Sequence, residues 1–264
     1  MTPHLLSNYA AAIRDVDPSV MENPHTAASL EMDAATIGGK RVQMIYAPFD
    51  HVNSNARLVI VGMTPGRVQA ANALRAARQA LIAGKPVEVA AAEAKIFASF
   101  SGPMRANLVR MLDHIGISAL LGISSTAQLW TDRPDLVHFT SAMRYPVFVD
   151  GENWSGQPDM VRTRQLAGWL EAYTGTELAD LKGAIIVPLG PKVAAAMQHL
   201  ASQGVVDRTK ILDGLPHPSG ANAERIAFFL GDKPAERCSA KTNPAALTCA
   251  REALVKRITH LRWS

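Results

Sequence analysis

At 264 residues and 48% hydrophobic content, the chain can bury a sizeable core, and neither a low-complexity tract nor a charge block forces it into separate pieces. A formal net charge of +4 suits a polyanionic partner but falls short of a protein built to coat duplex DNA. The two cysteines, Cys238 and Cys249, cannot supply a four-cysteine metal site and are expected as ordinary thiols. No apolar run of membrane-spanning length and no charged start followed by a hydrophobic signal core is present, which predicts a soluble cytoplasmic protein with no membrane partner.

Residues His4 to Ile13 read as an amphipathic helix, followed by a Pro-broken polar loop from Asp17 to Thr26. The Gly38-Gly39 turn introduces a strand from Arg41 to Tyr46, and Pro48 to Asn55 leads into the stretch that organises the chain. There Leu58 to Val61 is an unbroken aliphatic run that suits a strand covered on both faces. It stops at Gly62, where a sharp turn is permitted. Thr64 is placed to cap a helix, and Pro65 falls at a first helical position, where its missing N–H costs nothing. Helices are expected from about Val68 to Leu81 and from Glu88 to Phe97, interrupted at Gly84-Lys85-Pro86.

After Ser99-Phe100-Ser101-Gly102-Pro103-Met104 comes a periodic helix from Ala106 to Ile115, closed by Gly116. A second buried strand is predicted at Leu136 to Ala142. The segment Tyr145 to Pro158 reads as an excursion with an exposed Trp154. Met160 to Tyr173 is helical in pattern, Ala184 to Leu189 is a third buried strand, and Gly190-Pro191 opens another helix. A short fourth strand at Lys210 to Leu212 runs into Gly214-Leu215-Pro216-His217-Pro218-Ser219-Gly220. Helices from Asn222 to Leu230 and from Pro244 to Leu261 follow. Strands alternating with helices predict an α/β protein, a three-layer α/β/α sandwich with a mainly parallel central sheet. One domain is expected over residues 1–264, with an N-terminal helix and strand extension at about 1–55 and a core at about 56–264.

Met63 to Gly66 and Pro216 to Gly220 each follow a strand and precede a helix, so parallel strands would deliver both loops to one rim and form a cleft there. That cleft would hold the hydroxyls of Thr64 and Ser219, the imidazole of His217 and the amides of two helix starts. Such amides suit phosphate, and a neutral imidazole can donate a hydrogen bond to charge developing on a departing group. Prolines on both sides of His217 restrict its backbone. Each feature also has a plainer reading: Thr64 and Ser219 as helix caps, His217 as a structural histidine, Phe100 as a core aromatic.

These residues resemble the uracil-DNA glycosylase superfamily. Gly62-Met63-Thr64-Pro65-Gly66 is similar to that family's first motif, and His217-Pro218-Ser219-Gly220 to its last. Ser99-Phe100-Ser101-Gly102 and the helix with Leu108 and Leu112 resemble its uracil-stacking segment. Phe139-Thr140-Ser141 resembles the strand that ends in a base-reading Asn, and Ile185 to Gly190 the strand and helix start before the His motif in the iron–sulfur branch. The likeness spans most of Leu58 to Leu230.

The resemblance implies a monofunctional hydrolase that cleaves the N-glycosidic bond of uracil in DNA, in the manner of base-excision repair. It implies a monomer with DNA as its partner, nucleoid-associated if bacterial, and neither cofactor nor metal. His217 and Thr64 would be catalytic, His217 donating to the pyrimidine O2. Phe100 would stack on the flipped base, with Gly62, Met63 and Ser141 lining its site. Pro65, Gly66, Ser219 and Gly220 would grip phosphates, and Asn222 or Arg225 would approach the gap in the duplex. Thr64 stands where the family has a carboxylate or amide and is a poor base. Ser141, with one hydroxyl, cannot read uracil in the bidentate way an amide does, so base selection is expected to extend to xanthine or hypoxanthine. A non-catalytic lesion or abasic-site binder of the same fold and a hydrolase or transferase acting on a small phosphorylated nucleoside are the competing expectations.

Overall fold

The computed structural model describes residues 5–98 and 102–261. Helix α1 (Leu6–Asp15) and the single turn α2 (Pro18–Met21) lead to a hairpin of β1 (Glu31–Ile37) and β2 (Lys40–Ile45). Strand β3 (Leu58–Gly62) is followed by α3 (Arg67–Ile82), α4 (Val87–Ala98), α5 (Gly102–His114) and α6 (Ile117–Leu121). Strands β4 (Val137–Ser141), β5 (Val147–Val149) and β6 (Glu152–Asn153) precede a helical run made of α7 (Arg164–Trp169), a π-helical turn (Leu170–Gly175) and α8 (Thr176–Ala179). Last come β7 (Ile185–Pro188), α9 (Pro191–Ser202), α10 (Ala223–Leu230) and α11 (Pro244–His260). The chain is an α/β protein. Strands β4, β3 and β7 form a three-stranded sheet in that order, with β3 and β7 parallel from Leu58↔Ile185 to Val61↔Pro188.

The chain divides into two compact units. One takes the described residues of Met1–Val52, Gly62–Ser99 and Phe139–Asp180; the other takes those of Asn53–Val61, Phe100–His138 and Leu181–Ser264. The first unit contains an antiparallel sheet in the order β1-β2-β5-β6. Its β1–β2 turn uses Gly38 and Gly39 at φ +59° and +78°, the left-handed pair that a two-residue hairpin requires. Helices α3 and α4 pack through alanines, with Ala70, Ala73, Ala77, Ala90, Ala91 and Ala94 all buried, so their backbones approach closely. In the second unit, Leu108, Met111 and Leu112 of α5, Ile226 and Phe229 of α10, and Leu254 and Ile258 of α11 are buried apolar residues.

A buried ionic cluster lies at the heart of the first unit. Glu177 is 0% exposed, and Lys95 and Arg144 are each 4% exposed. Lys95 Nζ lies 2.9 Å from Glu177 Oε1 and Arg144 Nε 3.4 Å from the same oxygen, while Thr140 Oγ1 donates to Glu177 Oε2 at 2.5 Å. Lys95 also donates to His51 O at 2.7 Å, and Arg144 to Asp50 O at 2.6 Å. Asp50 in turn accepts from the hydroxyls of Tyr46 and Tyr145. Burial pushes the Lys95 ammonium down to about 8, with the Glu177 carboxylate opposing that shift.

Several expectations need correction. The β1 strand falls where the sequence reading placed no element, because its residues are only half-buried and carry no aliphatic run. Trp154 is 2% exposed: β5 and β6 draw the excursion into the antiparallel sheet, and the indole Nε1 donates to Pro158 O at 3.1 Å. The short fourth strand is reduced to a single parallel bridge between Ile186 and Ile211. A 3₁₀ turn at Arg208–Lys210 ends immediately before it, and Arg257 takes up the Ile211 carbonyl at 2.6 Å.

Replacing Glu177 by Gln removes the carboxylate that lies against both Lys95 and Arg144. Urea unfolding at neutral pH is expected to show a loss of about 3–5 kcal/mol, the cost of breaking one side of a buried ion pair.

Candidate functional site

In the first unit, the loop after β3 is held along its whole length by the segment after β4. Ala142 N donates to Gly62 O at 2.8 Å and Met143 N to Met63 O at 2.9 Å. Thr64 continues the seam with its side chain: Oγ1 donates to Tyr145 O at 3.2 Å and accepts from Val147 N at 3.2 Å. Gly62, Met63, Thr64 and Ser141 are thus brought together. Thr64 does not cap the helix; its hydroxyl is spent as a backbone clasp, with its proton committed and one lone pair left over. It can accept from a water but cannot take up that water's proton.

The helix start lies further on. Gly66 is the N-cap of α3; its amide donates to Gln69 Oε1 at 2.8 Å, the reciprocal half of a capping box, and Arg67 N donates to Asn153 Oδ1 at 2.9 Å. Pro65 has no N–H and is buried. The amides expected to grip phosphate at Pro65 and Gly66 are therefore absent in one case and already satisfied in the other.

Ser141 ends β4. Thr140 points to the buried Glu177, and the alternation of a strand turns Ser141 to the opposite face. The Ser141 carbonyl is fixed by Thr174 Oγ1 at 3.1 Å, which also reaches Ala142 O at 2.8 Å from within the π-helical turn. Among the described residues the Ser141 hydroxyl makes no hydrogen bond, so it is available to a ligand.

The His motif belongs to the second unit. His217 is half-buried between the buried Pro216 and Pro218. Ser219 N donates to His217 Nδ1 at 3.3 Å. A ring nitrogen that accepts carries no proton, so in the neutral imidazole the hydrogen resides on Nε2 and can be donated. Burial lowers the His217 pKa below its ordinary 6.5 and so favours that neutral form.

Two residues that the sequence reading did not assign to the site lie against this loop. Asn107 Nδ2 donates to Pro218 O at 3.0 Å. Gly190, at φ +95°, caps α9 beside the imidazole: a Cβ there would lie 3.6 Å from His217 Cβ and 3.7 Å from Cδ2. Only glycine takes this backbone conformation without strain. The "Gly-Pro" start of α9 carried a helix signal, but nothing in it marked a neighbour of His217.

Downstream, Asn222 Nδ2 donates to Ser219 Oγ at 3.2 Å, Arg225 NH1 donates to Asn222 Oδ1 at 2.6 Å, and Arg225 NH2 donates to Lys241 O at 2.9 Å. Both side chains expected to approach a gap in DNA are thus turned onto their own chain. Gly220 is exposed, and its amide has no partner among the described residues. Phe100, expected to stack on a base, lies outside the described residues. Among the described residues no group of His, Cys, Asp and Glu side chains is placed to hold a metal ion, and no helix is long and apolar enough to cross a membrane. Cys238 and Cys249 are free thiols.

No family model matches the chain, and no solved structure matches it. What fold and site define is an α/β protein with a clasped Gly-Met-Thr-Pro-Gly loop and a tautomer-fixed histidine. By sequence it is similar to the uncharacterized protein YoxB of Bacillus subtilis (strain 168), with 36% identity over 191 residues that cover 71% of this chain and 75% of that protein. The chain belongs to the YoxB family.

Two measurements check this geometry. In a nitrogen-15 NMR titration, His217 is expected to show the Nε2–H pattern and a midpoint below 6.5. Because its folded pKa is depressed, its contribution to stability is intact above the unfolded value and is lost as pH falls through the lower folded value. Thr64→Val removes the clasp and leaves the buried Val147 amide unpaired, with an expected loss of about 1–3 kcal/mol in chemical unfolding.

Proposed function

We propose that this chain is a DNA glycosylase that hydrolyses the N-glycosidic bond of uracil, and of other deaminated bases, leaving an abasic site. The reading extends to the fold, a three-layer α/β/α arrangement of the uracil-DNA glycosylase kind, and to a monomeric protein acting on DNA. The single observation that carries it is the state of His217: a neutral, half-buried imidazole with Nδ1 occupied by the Ser219 amide and an N–H to offer at Nε2.

That donor suits a bond that breaks with its electron pair leaving on the base. As the bond from C1′ to N1 lengthens, negative charge collects on N1 and on the pyrimidine O2, where the Nε2–H stabilises it. The electron-poor sugar is captured by water at C1′, the water yields a proton to solvent, and the released base takes up a proton at N1. A strong base is not needed to activate water for so electrophilic a carbon. This agrees with a Thr64 hydroxyl already committed to Tyr145 and Val147. Preorganised donors to developing oxyanions are worth about 10²–10³ in rate. The open hydroxyl of Ser141 offers one donor and acceptor where an amide would offer two groups, which supports acceptance of xanthine and hypoxanthine beside uracil.

The commitment of Thr64 also favours a second reading, a lesion or abasic-site binder without chemistry. Single-turnover incubation with oligonucleotides carrying uracil, hypoxanthine or xanthine separates the two. The glycosylase reading expects free base and an alkali-labile site. It expects His217→Ala to lower the rate about 10²–10³-fold while oligonucleotide binding persists. Binding with steep salt dependence and no base release from any of the three would leave the binder.

A further inference from the structure

We infer that Asn222 and Arg225 are positioning residues that set the polarity of the Ser219 hydroxyl, so that its hydrogen points outward to a phosphodiester oxygen. This rests on the proposed glycosylase reading, in which Ser219 meets the backbone of the extruded nucleotide.

The direction of each bond follows from which atoms can donate. A guanidinium only donates, so the atom of Asn222 facing Arg225 NH1 at 2.6 Å must be the amide oxygen. That choice sends the amide nitrogen toward Ser219 Oγ at 3.2 Å, and nitrogen there can only donate. Ser219 Oγ therefore accepts, and its own hydrogen is left over; among the described residues it has no acceptor. Arg225 is itself held against rotation by its second bond, to Lys241 O at 2.9 Å. The Lys241 segment is in turn tied to α10: Glu224 accepts from Ser239 Oγ and from Thr242 Oγ1, each at 2.6 Å. The relay thus runs from an anchored loop through a fixed guanidinium and an amide of determined orientation to a serine whose amide already fixes the His217 tautomer. A serine without this relay could turn its hydrogen inward. Here the one inward-facing partner is a donor, so an anion outside is the favourable acceptor.

Asn222→Asp tests it with nearly the same shape. The aspartate keeps its bond to Arg225 and replaces the donor facing Ser219 by an acceptor, which draws the hydroxyl hydrogen inward. Binding is read by fluorescence anisotropy at fixed low salt, with a single-stranded oligonucleotide carrying one 2′-fluoro-2′-deoxyuridine, whose glycosidic bond resists hydrolysis. The expected loss of affinity is about tenfold in the otherwise natural chain and within about twofold on a Ser219→Ala background. An added negative charge acting merely through the local field would cost the same in both backgrounds and would overturn the relay, as would failure of the natural chain to bind this probe.

Thermal unfolding confirms that the variant folds. If it does not, Arg225→Met, which frees the amide to rotate, must lower affinity by a smaller factor and only when Ser219 is present; an effect independent of Ser219 overturns the relay. Release of uracil from an ordinary oligonucleotide, measured alongside, separates the two claims. Release with equal losses in both backgrounds sinks the relay and keeps the glycosylase, whereas coupled losses without release do the reverse.

Discussion

A carboxylate with no exposure to water governs the first unit. Three elements meet at Glu177: α4 brings Lys95 to one oxygen, β4 brings Thr140 to the other, and the loop after β4 brings Arg144 alongside. Burying these charges is costly, and the cost is recovered only when all the partners are in register. The arrangement thereby specifies where β4 ends and how the following loop leaves it. The π-helical turn contributes to the same result: its wider winding sets Thr174 against the carbonyls of Ser141 and Ala142, just before Glu177 enters the cluster.

From that register the functional loop follows. With residues 142–147 in place, their amides and one carbonyl meet Gly62, Met63 and Thr64 in sequence. The buried cluster and the loop after β3 share Tyr145, whose backbone carbonyl receives Thr64 while its phenol donates to Asp50. Tyr145→Phe would remove the phenol's bond to Asp50 and leave the carbonyl that receives Thr64 in place. In the second unit the same economy appears at Ser219, whose amide sets the imidazole and whose hydroxyl answers to Asn222.

Much of the fold was legible because its signals are local. The aliphatic runs at β3 and β7, the Gly-Pro start of α9, Gly231 in the left-handed conformation after α10 and Asn243 capping α11 each declare themselves within a few residues. What was not legible is relational. Trp154 sits in a Pro- and Gly-rich stretch that reads as exposed, and only pairing of β5 with β2 and β6 buries it. Thr64 has the side chain of a helix cap, but a carbonyl and an amide some eighty residues later claim its hydroxyl, and Gln69 completes the cap at Gly66 instead. That Gln three residues after Gly66 was the available signal for the true helix start. His217 was legible as a residue type in a rigid Pro-flanked turn; its tautomer was not, because it depends on the position of one backbone amide.

The interleaving of the two units has a consequence for biosynthesis. Each is assembled from three stretches of chain separated by stretches of the other, so the ion cluster of the first cannot close until Glu177 has emerged, long after Lys95 has been made. The second waits longer still, because β7 and everything beyond it are synthesised last. For most of translation the nascent polypeptide carries half-built cores whose missing pieces are still to come. Its maturation is therefore governed by late, sequence-distant encounters more than by early local order.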